Sequence, residues 1–315
     1  MHNSMDVMGR AELENTADLA LTAFCWWRAD IPQGVCEDYW RDVHGIMFAR
    51  APGMWQCRQL RLSANRPDLW PTIQGMTFEA ARPAQPQGIG HALFKSDADL
   101  TTFGNNPIAR ESIPNDARNF IGRIGALLSP PNGGHTFVDR IGDHTAQGTP
   151  AMPTFVICLV AGAGVARAEA FHGYVAGNVA RLWCEHPDVL RLRVEPLPPY
   201  DQAAMSSPGV PLQWPNDETY LCWIELAVRN EGVFGDLLAC QLADGLAEQV
   251  QSIHTYPVRE IYTIISSGRP TEVGLRGYPA AQLVSAAGAE NQRDESFLNM
   301  LYGDAVYGLD QLRRT

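Results

Sequence analysis

Short apolar runs that suit β-strands recur along the chain and alternate with amphipathic stretches that suit helices. The strand-like run at residues 22–27 is matched by a second run at residues 154–159, a spacing of 132 residues from 22 to 154. A helix is predicted after each run, at residues 35–50 and 165–184. Each predicted helix stops at a proline, which cannot continue the helical hydrogen-bond ladder.

The same order of elements continues in both halves. Second strands are predicted at residues 54–62 and 189–194, third strands at 90–94 and 221–225, and fourth strands, each after a second helix, at 135–141 and 260–265. In strand 189–194, leucine and valine alternate with Arg191 and Arg193, which predicts one apolar and one polar face. The order β-α-β-β-α-β therefore occurs twice.

This order predicts an α+β fold made of tandem ferredoxin-like units. Each unit has a four-stranded antiparallel sheet with two helices on one face, and the open face needs a cover. Each unit can cover the other, which gives a dimeric-type α/β barrel within one chain. The expected divisions are a first unit at 1–148, a second, degenerate unit at 149–266 and a C-terminal extension at 267–315 that wraps one unit. The long proline-rich connections 64–87 and 196–217 are expected to act as lids or binding loops.

Composition narrows the class of protein. The 315 residues are 45% hydrophobic and carry a formal net charge of −11, which disfavours binding to nucleic acid. No stretch approaches the roughly 18 apolar residues of a membrane helix, and the N-terminal segment lacks the pattern of a secretory signal. The seven cysteines include no C-x-x-C pair and are expected as buried free thiols, which favours a reducing, cytoplasmic location.

One segment carries a recognisable signature. Residues 38–45, with the sequence DYWRDVHG, and residues 49–55, with ARAPGMW, resemble the helix-and-strand signature of EthD-domain proteins. The resemblance implies the dimeric α/β barrel fold, a cofactor-independent pocket between sheet and helices, and relatives that act on aromatic or polyketide-like molecules. At the 132-residue spacing His44 falls on Ala176, so the second unit lacks the matching histidine. A single pocket in the first unit is therefore expected.

Three histidines are the candidate catalytic residues. His44 lies four residues after Trp40, so both side chains share one helical face, and an imidazole can transfer protons near neutral pH. His91 and His135, on predicted strands, are expected to meet His44 if their side chains point to the helix side of the sheet. The structural alternative is a core or surface histidine held by a hydrogen bond. None shows the short spacing of a metal site, so no metal is predicted. The resemblance to EthD-domain proteins implies that no cofactor is needed.

Aromatic and basic side chains complete the expected pocket. The candidate substrate-binding residues are Trp27, Tyr39, Trp40, Trp55 and Arg58. The aromatic rings can stack on a flat ligand, and the arginine can hold a phenolate or carboxylate, although core packing and a solvated face are the alternatives. The glycines of residues 162–164 imitate a dinucleotide-binding turn, but the third glycine of that fingerprint is missing.

These features lead to a functional hypothesis. The sequence favours a cofactor-independent lyase, dehydratase or isomerase that acts on a small aromatic or polyketide-like metabolite by general acid/base catalysis at His44. Two alternatives stay open: a monooxygenase, cofactor-free or haem-dependent, and a non-catalytic protein that binds a hydrophobic metabolite. The expected partner is the small molecule, and a homodimer is left open.

Overall fold

The computed structural model describes residues 17–142, 145–163, 165, 167–199, 209–211, 219–242 and 245–303. The strands of the first unit are β1 (Leu19–Trp27), β2 (Gln56–Leu62), β3 (Gly88–Phe94) and β4 (Ile121–Leu128). Its helices are α1 (Gln33–Tyr39, then a π-helical turn Trp40–His44, then Gly45–Phe48), α2 (Asp97–Asn105) and α3 (a π-helical turn Ile108–Ser112, then Ile113–Ala117). The strands form an antiparallel sheet in the order β4-β1-β3-β2.

The second unit repeats this plan. Two short strands precede it, β5 (His135–Asp139) and β6 (Gln147–Gly148), and its own strands are β7 (Thr154–Ala161), β8 (Val189–Pro196), β9 (Cys222–Val228) and β10 (Val250–Ser266). Its helices are α4 (Ala168–Tyr174, π-helical Val175–Ala180, Arg181–Glu185), α5 (Val233–Leu242) and α6 (Leu246–Gln249). The strand order β10-β7-β9-β8 is the order of the first unit.

The two sheets are joined through their fourth strands. The first half of β10 pairs with β7 of its own unit, and the second half pairs with β2 of the first unit. At the other end of the sheet, β5 pairs with β8. The long strand β10 pairs with both units. On the opposite side this role is divided between β4, which pairs with β1, and β5, which pairs with β8. Because β4 and β5 are consecutive in the chain, the connection between them closes the ring. The predicted α+β fold, with tandem ferredoxin-like units in a dimeric-type α/β barrel, is confirmed.

The fourth strand of the first unit was predicted in the wrong place. It lies at Ile121–Leu128, and the predicted strand at 135–141 is β5, which pairs with the other unit. The chain turns at residues 130–134, where Gly133 leaves no room for a side chain because a Cβ atom there would lie 2.8 Å from the Pro130 carbonyl oxygen. The predicted strand at 260–265 is the second half of the 17-residue β10.

The inner face of the ring is a shared core. Apolar side chains from both units meet there, among them Phe24, Leu60 and Ile89 of the first unit with Val156 and Trp223 of the second. The helices cover the outer face of each sheet. The barrel is therefore packed with side chains at its centre.

The long connection between β2 and β3, and the corresponding connection between β8 and β9, each reach the other unit. Trp70, from the connection between β2 and β3, lies in the outer core of the second unit, with its ring centroid 4.8 Å from that of Phe234. Its indole N–H donates to Thr255 Oγ1 at 2.8 Å. In the opposite direction, Val210 joins the outer core of the first unit, and Pro211 accepts a hydrogen bond from the Ile124 N–H at 3.2 Å. The described parts of both connections thus fasten one unit to the other.

The C-terminal extension lies against the first unit. It contains β11 (Arg269–Pro270), α7 (Glu272–Arg276), α8 (Tyr278–Ala286) and α9 (Glu295–Tyr302). Val273 packs in the outer core of the first unit. A Cβ atom on Gly274 would lie 2.3 Å from the Ile264 carbonyl oxygen, so this close approach of α7 to β10 needs a glycine. Among the described residues, no helix is long and apolar enough to cross a membrane.

Candidate functional site

A π-helical turn within α1 positions the residues of the predicted motif. The turn spans Trp40–His44 and is closed by a hydrogen bond from the Gly45 N–H to the Trp40 carbonyl. Gln59 on β2 donates a second hydrogen bond to that carbonyl at 2.8 Å. A Cβ atom on Gly45 would lie only 3.0 Å from the Gln59 amide nitrogen. Single π-helical turns inside α-helices are frequent at functional sites.

His44 is held by a carboxylate that the sequence analysis did not find. Its Nδ1 lies 2.8 Å from Asp116 Oδ2, on α3. The Tyr39 hydroxyl donates to Asp116 Oδ1 at 2.6 Å, and Asn119 donates to the same oxygen at 3.0 Å. In the described part of the structure, His44 Nε2 has no hydrogen-bond partner. We call His44, Asp116, Tyr39 and Asn119 the His44 cluster.

The electrostatics of this cluster define the histidine tautomer. Burial alone would raise the pKa of Asp116, but the hydrogen bonds from His44 and Tyr39 outweigh it and hold that pKa below its usual value. Burial lowers the pKa of His44, although the hydrogen bond and charge of Asp116 act in the opposite direction. An ionised Asp116 can only accept, so Nδ1 carries the proton and Nε2 of the neutral ring carries a lone pair.

Aromatic rings pack around the His44 cluster. The ring centroid of Phe120 lies 4.9 Å from that of His44 and 5.9 Å from that of Trp27. Trp27 and Trp40 are 5.1 Å apart. Trp40 lies over β3, where a Cβ atom on Gly88 would come within 2.9 Å of both tryptophan rings. The glycine therefore lets the rings fill the space between α1 and the sheet.

Two predicted site residues lie on the opposite face of the sheet, inside the barrel. His91 Nε2 is 3.1 Å from Glu195 Oε2 of the second unit, and neither side chain is exposed. Arg58 forms a bidentate ion pair with Glu225, with distances of 3.1 and 2.6 Å. His91 therefore does not meet His44, because its position in the strand points its side chain away from α1.

These pairs belong to a buried set of charges that joins the two units. We call it the charged seam; its members are Arg58, His91, Asp139, Arg191, Arg193, Glu195 and Glu225, all buried. Arg191 bridges Glu225 at 3.3 Å and Asp139 at 2.6 Å. Burial alone would raise the pKa of Glu195, but the charge of Arg193 and the hydrogen bond from His91 lower it to about 2. Arg191 and Arg193, which formed the predicted polar face of β8, thus face the barrel interior.

The remaining predicted residues lie apart from the His44 cluster. His135 is exposed at the start of β5, with its ring centroid 4.8 Å from that of Phe137. Trp55 packs against Leu93 near the start of β1, and Lys95 lies 4.3 Å above its ring. The structure brings together His44 and Tyr39, with Trp27 and Trp40 beside them. It does not bring the three histidines together.

No sequence signal identifies Asp116, which is 72 residues from His44. A usable signal did exist for the charged seam, because Glu225 is the one charged residue in the apolar strand β9. Among the residues described, no group of three or more His, Cys, Asp or Glu side chains is placed to hold a metal ion.

No protein-family model matches the chain, and no curated protein matches it. Several solved structures are similar. A "putative monooxygenase" from Lactobacillus acidophilus NCFM covers 78% of this chain with 95% of its own, at 10% identity and a TM-score of 0.42. An "anthrone oxidase-like protein" covers 80% of this chain with 94% of its own, at 12% identity and a TM-score of 0.42. A "putative monooxygenase" from Fusobacterium nucleatum covers 80% of this chain with 96% of its own, at 6% identity and a TM-score of 0.43. At these identities and TM-scores the likeness supports no statement about substrate or reaction.

The strand order defines the class. Two ferredoxin-like units, each with its fourth strand shared with the other, form the fold of the dimeric α/β barrel proteins, here with both units in one chain.

Proposed function

We propose that the protein is a small-molecule enzyme in which His44 is the general base. The observation that carries the proposal is the hydrogen bond between His44 Nδ1 and an ionised Asp116, which leaves Nε2 with its lone pair. A base oriented in this way can remove a proton from carbon or oxygen near neutral pH. The EthD-like segment around His44 supports the same assignment.

The reaction class that we favour is a lyase, dehydratase or isomerase without a cofactor. His44 Nε2 takes a proton from the carbon next to a carbonyl group, and the electrons of the broken C–H bond form an enolate. In a dehydration, the same proton is then returned to a departing hydroxyl, which leaves as water while the C–C double bond forms. Asp116 stabilises the transient imidazolium and acts as a positioning residue.

The surrounding rings favour an aromatic or polyketide-like substrate. Tyr39, Trp27 and Trp40 form one aromatic cluster with Phe120 beside His44, so a planar molecule that reaches Nε2 meets an aromatic environment. We assign Arg58 and His91 instead to the charged seam, because carboxylates of the second unit already hold them inside the barrel. The cysteines described as buried and free fit the cytoplasmic location expected from the sequence.

A cofactor-free monooxygenase is the second candidate. The observation that favours it is the same neutral base, because an aromatic carbanion made by proton removal at Nε2 is the species that reacts with O₂. Oxygen uptake in step with substrate loss distinguishes this reaction from a lyase or isomerase reaction.

The test begins with a panel of anthrones, naphthols and polyketide lactones, incubated with the protein and followed by mass spectrometry and an oxygen electrode. For a converted compound, we expect His44→Asn to lower kcat/KM by about 10²- to 10⁴-fold. Asp116→Asn should lower it less and move the acidic limb of the pH profile to lower pH, because Asp116 raises the pKa of His44 and the base acts only above that pKa.

The matched control is His186→Asn, in a looser pair whose Nε2 lies 3.8 Å from Asp236. It should leave kcat/KM unchanged. A folded His44→Asn variant with wild-type kcat/KM would remove His44 from the mechanism.

A further inference from the structure

A second candidate binding site opens at one end of the barrel. A cleft of about 1610 Å³ lies where β1 ends and β4 begins, beneath the connection between β2 and β3. Trp26, Trp27 and Leu62 contribute apolar surface to its wall, and Pro83 and Pro86 add more. His44 is not part of this wall. The site is therefore distinct from the His44 cluster, although Trp27 also packs against Trp40 and Phe120 beside that cluster.

Arg123 is the unusual residue of this cleft. Its guanidinium lies 4.5 Å from the Trp26 ring centroid and donates to the Pro83 carbonyl at 2.5 Å. Its Nε is buried without a hydrogen-bond partner, and Arg123 forms no ion pair with any described residue. Arg28 and Arg259, in the same wall, are each paired with a carboxylate.

The charge of the wall favours an anion. Four arginines and two carboxylates line the cleft: Arg28, Arg82, Arg123 and Arg259, with Asp30 and Glu79. Because Arg28 pairs with Asp30 and Arg259 pairs with Glu37, Arg82 and Arg123 against Glu79 leave an excess of one positive charge, in a protein whose net charge is −11. Burial lowers the pKa of Arg123, and no carboxylate acts in the opposite direction. A clustered positive charge within an acidic protein raises the local concentration of anions.

We propose that this cleft binds a small apolar organic acid, with the carboxylate on Arg123 and the apolar body against Trp26, Trp27 and Leu62. A planar guanidinium fixed by a carbonyl and an indole ring is suited to bidentate recognition of a carboxylate. The apolar wall gives an organic acid an advantage over an inorganic anion, which would bury no apolar surface. This inference does not depend on the reaction proposed for His44.

The experiment compares 2-naphthoate with its neutral analogue 2-naphthamide, by calorimetry and by quenching of tryptophan fluorescence. We expect naphthoate to bind the wild-type protein at least tenfold more tightly than naphthamide, because only the carboxylate can form a charge-assisted hydrogen bond with Arg123. Arg123→Gln should remove that preference, and Arg123→Lys should retain only part of it, because an ammonium keeps the charge but cannot make the bidentate contact. The control Arg110→Gln removes an exposed arginine paired with Glu111 and should bind naphthoate as the wild type does.

Three outcomes would overturn the proposal. Equal binding of naphthoate and naphthamide to the wild-type protein would show that charge plays no part, and this comparison needs no variant. Unchanged naphthoate affinity in a folded Arg123→Gln variant would place the ligand elsewhere. Displacement of naphthoate by an equal concentration of inorganic phosphate would indicate a simple anion site rather than one for organic acids.

Discussion

The charged seam predicts a large loss of stability when one carboxylate is neutralised. In Glu225→Gln, Arg58 loses the bidentate partner that it holds at 3.1 and 2.6 Å, and Arg191 loses a contact at 3.3 Å. The side chains of Arg58 and Glu225 are only 3% and 1% exposed, so water cannot replace the lost carboxylate. Removal of one partner of a buried pair costs about 3–5 kcal/mol, which is a large part of a typical free energy of unfolding of about 5–15 kcal/mol.

Urea denaturation followed by circular dichroism measures this loss. With a slope near the upper end of about 1–3 kcal/mol per molar urea, the midpoint should fall by at least about 1 M. The control is Asp188→Asn, which breaks an ion pair with side chains 61% and 34% exposed and should cost no more than about 1 kcal/mol. The double variant Arg58→Met/Glu225→Leu should recover much of the loss, because the charge is then removed on both sides.

If Glu225→Gln and Asp188→Asn lower the free energy of unfolding by the same small amount, the pair of Arg58 and Glu225 is not shielded from water. That result would mean that the seam is hydrated. It would also return Arg58 to the set of residues available to a ligand.

Three further changes test other parts of the structure. Gly88→Ala should destabilise by about 1–3 kcal/mol because its Cβ would meet the Trp40 ring at 2.9 Å, whereas Gly104→Ala, with nothing within 4 Å, should be neutral or stabilising in thermal melts. Trp70→Ala should cost about 3–5 kcal/mol by emptying the outer core of the second unit, and an unchanged melting temperature would contradict this. Burial lowers the pKa of His254 from 6.5 to about 4, so the unfolded chain binds a proton at this histidine before the folded protein does as pH falls. The free energy of unfolding should therefore drop by about 3 kcal/mol between pH 6.5 and 4. In His254→Gln, the urea midpoint should depend less on pH over this range.

The sequence predicts the repeated order of elements because the alternation of strands and helices is a local property. The helix at 35–50 and the strand at 189–194 are found within two or three residues of their places, since each has a clear periodicity. Strand β4 was missed because its sequence, IGRIGALL, contains two glycines and an arginine and lacks an alternating pattern. Contacts between distant residues have no local sequence pattern. The pairs Asp116–His44 and Glu225–Arg58 form only in the tertiary structure, so the sequence does not predict them.

The charged seam also bears on what kind of assembly this chain is. The first unit supplies Arg58 and His91 to Glu225 and Glu195 of the second. It also supplies Asp139 to Arg191, and among the described residues none of these three pairs is repeated with the two units exchanged. In a symmetric dimer of identical chains, each contact between two different residues occurs twice, because the same surface of each chain contacts its counterpart on the other. Here each half presents a surface made for the other and not for itself. The two units therefore correspond to the two different subunits of a heterodimer, and because they are joined in one chain they are always present in a one-to-one ratio.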